Sequence, residues 1–191
     1  EVMVPTAAPQ PERDLYLVYA QGSSIYRGDY LGDEPVEVAS VPQLEAWDFH
    51  QGRLVTARIQ HVDVIDLTQG KLTTLQVTLE PRIEYADVRW STGGDALLYT
   101  AVIEDQTAST FQRSVELRAL APESGEMLGR ALLHDATGVQ ILRYEADANR
   151  ALLIPQRGDP AFDQVESYDL NTGRPAGTIH LRGENASLSP N

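Results

Sequence analysis

One layout recurs three times along this chain, and that repetition constrains the fold more than anything else in the sequence. The unit is an aromatic-ended strand, a tight polar turn, an apolar strand, a connection of variable length, a strand closing on a glycine turn, and a last strand. The first copy runs from Ala46-Trp47-Asp48-Phe49 through His50-Gln51-Gly52 into Leu54-Val55-Thr56-Ala57, then Val62 to Gly70, then Leu72 to Val77. In the second, Asp87 to Trp90 turns through Ser91 to Asp95 into Ala96 to Thr100, followed by Val115 to Leu120, a turn at Pro122 to Gly125, and Leu128 to Leu133. The third runs from Gln140 to Tyr144, turns at Glu145 to Asn149, and continues through Ala151 to Ile154, Val165 to Gly173 and Ala176 to Leu181. Phe49, Trp90 and Tyr144 stand 41 and 54 residues apart, and Gly70, Gly125 and Gly173 stand 55 and 48 apart. That spacing fits a four-stranded unit of about 40 to 50 residues.

A four-stranded sheet that alternates apolar and polar residues cannot bury both faces alone, so such units stack, and radial stacking gives a β-propeller. Helical periodicity is not sustained anywhere; Val115 to Leu120, VELRAL, alternates as a half-buried strand does. The expected fold is therefore all-β, a propeller of about four four-stranded blades. Residues 1–13 read as a Pro-rich linker and 14–191 as the repeat domain, with an incomplete blade at 14–40 that lacks its first strand. Complete blades follow at 44–78, 84–134 and 138–182, and 185–191 reads as the start of another. A β-sandwich would also give many short strands, but it leaves the recurring unit unexplained. Closure stays open between three solutions. Residues 186–191 could seal a ring of four, the chain could be a fragment of a larger ring, or a homodimer could cover the open faces.

The turn residues also resemble a known pattern. Trp90-Ser91-Thr92-Gly93-Gly94-Asp95-Ala96-Leu97-Leu98-Tyr99 is similar to the W-S-P-D-G-x-x-I-A-Y motif of TolB-like and WD40-like propellers, and Leu188-Ser189-Pro190-Asn191 looks like the opening of another copy. Asp66-Leu67-Thr68-Gln69-Gly70 and Asp169-Leu170-Asn171-Thr172-Gly173 resemble the D-L-x-T-G turn after the third strand of such blades. This chain departs from the pattern where Gly93-Gly94 replaces Pro-Asp, where the turn after Phe49 is two residues short, and where the turn after Tyr144 lacks glycine. The resemblance implies a propeller whose loop-rich face, where the blade crossings emerge, is the binding side.

Composition narrows the partners. Fifteen Lys and Arg against 28 Asp and Glu give a net charge of −13, which repels nucleic acid and anionic lipid. Cysteine is absent, which excludes disulfides, thiolate zinc sites and a cysteine nucleophile. No apolar run approaches the roughly 20 residues of a membrane-spanning helix. The opening EVMVPTAAPQPER, with Pro5, Pro9 and Pro11, has linker composition and leads to the expectation of an extracytoplasmic domain tethered at that end.

Catalytic motifs are sparse. The sequence contains no G-x-S-x-G elbow, phosphate-cradling glycine loop, H-E-x-x-H helix or EF-hand loop. His50, His61, His134 and His180 lack metal-ligand spacing, so no metal or other cofactor is expected. Asp63 and Asp66, three residues apart, fall on opposite faces of a strand. Asn185-Ala186-Ser187 matches the glycosylation sequon, a pattern short enough to arise by chance.

Two connections between second and third strands are long, Glu104 to Ser114 and Gln156 to Gln164. Each pairs an aromatic with a cation, Phe111 with Arg113 and Phe162 with Arg157, and Asp159 lies in the second loop. Exposed aromatic plus Arg is common hot-spot chemistry at interfaces, so Phe111, Arg113, Arg157, Asp159 and Phe162 are the candidate binding residues. The competing reading has both Phe side chains tucked back as loop anchors. The function expected is a non-catalytic binding or scaffold domain for a protein or peptide. The alternatives are the propeller portion of a larger hydrolase, gating a peptidase, or a glycoside-active propeller using dispersed carboxylates.

Overall fold

The computed structural model describes residues 16–29, 34–58, 61–67, 69–77, 83–105, 112–157 and 164–180. Fifteen strands and no helix are found among them. The first sheet holds β1 (Tyr16–Gln21), β2 (Ser24–Asp29) and β3 (Val36–Ser40). The second holds β4 (Ala46–His50), β5 (Arg53–Arg58), β6 (His61–Asp66) and β7 (Lys71–Gln76). The third contains β8 (Ile83–Trp90), β9 (Leu97–Asp105), β10 (Gln112–Leu120) and β11 (Met127–His134). The fourth contains β12 (Gly138–Glu145), β13 (Arg150–Gln156), β14 (Gln164–Asp169) and β15 (Arg174–His180). Each sheet is an antiparallel meander in chain order, with no strand exchanged between sheets. This is a β-propeller arrangement of about four blades, the first with three strands among the described residues.

Because side chains alternate along a strand, every blade has one face toward the preceding sheet and one toward the following sheet. In β5, Leu54 packs with Ile25 and Ala39 of the first sheet, whereas Val55 and Ala57 pack with Val88 and Tyr99 of the third. In β9, Leu97, Tyr99 and Ala101 join the cluster shared with the second sheet, while Leu98 and Val102 join Tyr144, Leu153 and Tyr168 of the fourth. Three apolar clusters thus bind four consecutive sheets. The close approaches between sheets involve the first strands, β4 with β8 above all, which places the first strands toward the axis. The fourth strands lie outermost, and Arg174 to Ile179 of β15 are exposed throughout.

Register identifies which strand the first sheet lacks. Leu17-Val18-Tyr19-Ala20 in β1 repeats Leu54-Val55-Thr56-Ala57 in β5. Ala20 pairs with Ile25 as Ala57 pairs with Val62, and Ile25 pairs with Ala39 as Val62 pairs with Leu75. Strands β1, β2 and β3 therefore correspond to β5, β6 and β7, and the innermost position is the one left without a strand among the described residues.

The glycine-free turn after Tyr144 is solved by Asn149, which takes φ +45°. Asparagine tolerates the left-handed region better than other non-glycine residues. Its side chain then accepts from the Tyr144 hydroxyl at 3.1 Å and donates to the Leu128 carbonyl at 3.0 Å and to Asn171 at 2.9 Å. The third and fourth blades are thereby tied at their turns. Gly129 permits this approach, since a Cβ there would sit 2.5 Å from Asn149 Nδ2 and 2.8 Å from the Leu170 carbonyl.

Candidate functional site

The second-to-third strand connections and the crossings between sheets leave from one end of the blades, the loop end. There the sequence expectation needs adjustment. The connection read as Glu104 to Ser114 is partly strand, because β9 and β10 stay paired out to Asp105 opposite Gln112, with Arg113 opposite Glu104. Strands β9 and β10 each have nine residues against six in β5 and β6, so this ribbon outgrows its counterpart in the second blade.

Arg113 is exposed and lies on the side of β10 that carries Val115 and Leu117 toward the fourth sheet. Arg157, just past β13, grips Glu166 through both terminal guanidinium nitrogens, the NH2–Oε2 bond measuring 3.1 Å. Glu166 is on the side of β14 that carries Tyr168 toward the third sheet. Both cations therefore border the same groove, between the third and fourth blades at the loop end. The other candidates, Phe111, Asp159 and Phe162, lie outside the described residues.

Arg157 belongs to a pattern that the sequence reading missed. Each third strand of the complete blades carries a buried acid on its preceding face: Asp63, Glu116 and Glu166, at 0%, 5% and 5% exposure. Each acid meets a guanidinium. Arg58 lies 2.7 Å from Asp63, which also accepts from Thr74 at 2.6 Å, and Arg118 Nε lies 2.9 Å from Glu116. Glu166 accepts further from the Tyr168 hydroxyl at 2.9 Å. A buried carboxylate must be paired, and each of these pairs is made within one blade, neutralising the acid where its face packs against the preceding blade. The signal was present in the sequence, since Asp63 and Glu166 each stand seven residues before the turn glycines Gly70 and Gly173.

For Glu166, burial pushes the carboxyl up, but hydrogen bonds from Arg157 and Tyr168, together with the Arg157 charge, outweigh it and hold the group below its ordinary value. Burial and the Glu166 hydrogen bond push the Tyr168 phenol up to about 12. A carboxyl with a lowered folded pKa stabilises above its unfolded value and loses that contribution as pH falls through the folded one. In urea titrations from about pH 6 to about pH 3, Glu166→Gln is expected to start less stable than the wild type and to lose less on acidification. Parallel pH profiles for the two proteins would refute this role.

At the axis, carboxylates treat the bare edge of β8. Its outward N–H groups alternate, and Ala86, Val88 and Trp90 donate to Glu45 at 3.1 Å, Asp87 at 2.8 Å and Asp48 at 2.8 Å. Burial pushes the Asp87 carboxyl above its ordinary value, against the pull of Arg89 and the Val88 N–H. At the opposite, turn end, the Arg53 guanidinium lies 4.5 Å above the Trp90 ring and also bonds the Gly94 carbonyl. This seats the Trp90 to Asp95 turn against the second blade. Among the described residues no group of three His, Cys, Asp or Glu is placed to hold a metal ion. No helix there is long and apolar enough to cross a membrane.

Comparison with known proteins shows the fold. Neither a family model nor a curated protein matches the chain. Among solved structures it is similar to Kluyveromyces lactis Hsv2 with loop 6CD replaced by a Gly-Ser linker, at TM-score 0.55 and 16% identity, over 91% of this chain and 53% of that one. Hsv2 with the complete loop 6CD gives 0.52 and 16%, over 81% of this chain and 45% of that one. The chain thus spans about half the length of the structures it matches, and at this identity the likeness is one of fold alone.

Proposed function

We propose that this chain is a non-catalytic binding or scaffold domain that takes a protein or peptide partner at the loop end, in the groove between the third and fourth blades. The observation that carries this is the placement of Arg113 and Arg157 on the two walls of that groove, beside the ribbon that outgrows the second blade. Rigid blades displaying long connections from one end are a scaffold for recognition. Arg157 is held by Glu166, so its orientation is set before a partner arrives, which lowers the ordering cost of binding. A net charge of −13 over the chain disfavours a strongly acidic partner, so a neutral or cationic peptide offering an aromatic group suits the groove. The same proposal places the domain outside the cytoplasm, tethered through residues 1–13, on the strength of their Pro-rich composition. Recovery of the native protein only in the cytosolic fraction would overturn that placement.

The test is a peptide-array screen of the whole chain, with affinities of selected peptides measured for wild type and for Phe111→Ala combined with Phe162→Ala. The expected loss is about tenfold or more, one to two hot-spot contacts' worth. Retained affinity in a variant with wild-type circular dichroism would remove the loop end as the site.

A further inference from the structure

The two end faces of this stack are the two halves of one repeated interface. Leu54 faces the preceding sheet and is 0% exposed, whereas its counterpart Leu17, in the same Leu-Val-x-Ala sequence, is 61% exposed. At the other end, Ile179 pairs with Val165 as Leu75 pairs with Val62, yet Leu75 is 4% exposed and Ile179 is 59% exposed. Tyr19 and Tyr26 stack beside Leu17 on the first sheet's outer face, ring centroids 5.5 Å apart. Leu152 and Ile154, counterparts of Val55 and Ala57, stand half-buried on the fourth sheet's outer face beside Val165. No apolar cluster among the described residues unites the first sheet with the fourth. Among the described residues the stack is therefore an open arc.

We propose that two copies of this chain join head to tail, the outer face of the fourth sheet in each packing on the outer face of the first sheet in the other. Three observations select a second copy as the occupant. The faces match by construction, since one is a following face and the other a preceding face, as at the three internal junctions. The arc superimposes on about half of a larger propeller, covering 53% of it, so two arcs complete a turn where one cannot. A contact between unlike faces closes a ring when its rotation divides the circle, and here two equal contacts close it, burying Leu17 and Ile179 in both copies.

The experiment is sedimentation equilibrium of the whole chain, with Leu17→Asp and Ile179→Asp, alone and mixed. The wild type is expected at twice 21.0 kDa. Each variant alone spoils both junctions and is expected at half the wild-type mass. An equimolar mixture retains one intact junction, Leu17 of one variant against Ile179 of the other, and is expected to recover a mixed pair that neither forms alone. Near-ultraviolet circular dichroism from Trp90, buried between the second and third sheets, reports that each variant is folded. A wild-type chain that stays at 21.0 kDa up to about 0.5 mM, well above ordinary dimer constants, would overturn the proposal. So would a dimer indifferent to both substitutions, or variants that fail to complement.

Discussion

Trp90→Ala is expected to lower the free energy of unfolding by roughly 3–5 kcal/mol, the range for removing a buried large aromatic. Trp90 is 6% exposed within the cluster that joins the second and third blades, packed with Val55, Val64 and Leu97. Its loss also deprives Arg53 of the ring beneath its guanidinium. The indole Nε1 has no hydrogen-bond partner among the described residues, so Trp90→Phe forfeits volume but no bond there, and is expected to retain more than half of the lost stability. Urea unfolding followed by far-ultraviolet circular dichroism measures both. Equal losses for Ala and Phe would show that the indole nitrogen, not the ring's bulk, matters.

Asn149→Ala is the second large effect, roughly 2–4 kcal/mol. The substitution leaves the Tyr144 hydroxyl without Asn149 Oδ1 and the Leu128 carbonyl without its donor, and puts alanine at φ +45°. Two costs are therefore mixed, one of hydrogen bonding and one of backbone. Asn149→Gly separates them, because glycine adopts that φ without strain while still losing the side-chain bonds. Glycine is expected to be more stable than alanine by about 1 kcal/mol. If glycine matched the wild type, the network between the third and fourth blades would carry no weight.

These two residues also show what the sequence could and could not disclose. Trp90 was visible as the end of an aromatic-ended strand because the whole unit recurs, and repetition is a property of one-dimensional order. The all-β architecture and the relation between blades follow from it. Asn149 was visible only as a missing glycine, since the left-handed turn is satisfied by a residue whose value depends on Tyr144 and on a carbonyl 21 residues upstream. In the sequence alone the acids Asp63, Glu116 and Glu166 carry no mark of burial that sets them apart from the other 25 Asp and Glu. Their burial depends on which face of a strand meets the preceding blade, and alternation alone does not say which face that is. At the loop end, the sequence offers Arg113 and Arg157 as cations in long connections. That the first rides on a strand and the second is anchored to Glu166 required the register.

The carboxylates along β8 bear on how this protein behaves when crowded. An unsatisfied strand edge is a template on which any extended chain can lie down, and repeated without limit such addition builds a fibril. With the outward N–H groups of Ala86, Val88 and Trp90 already occupied by Glu45, Asp87 and Asp48, an incoming strand finds these three donors taken and meets negative charge. Growth from that edge is blocked at its first step.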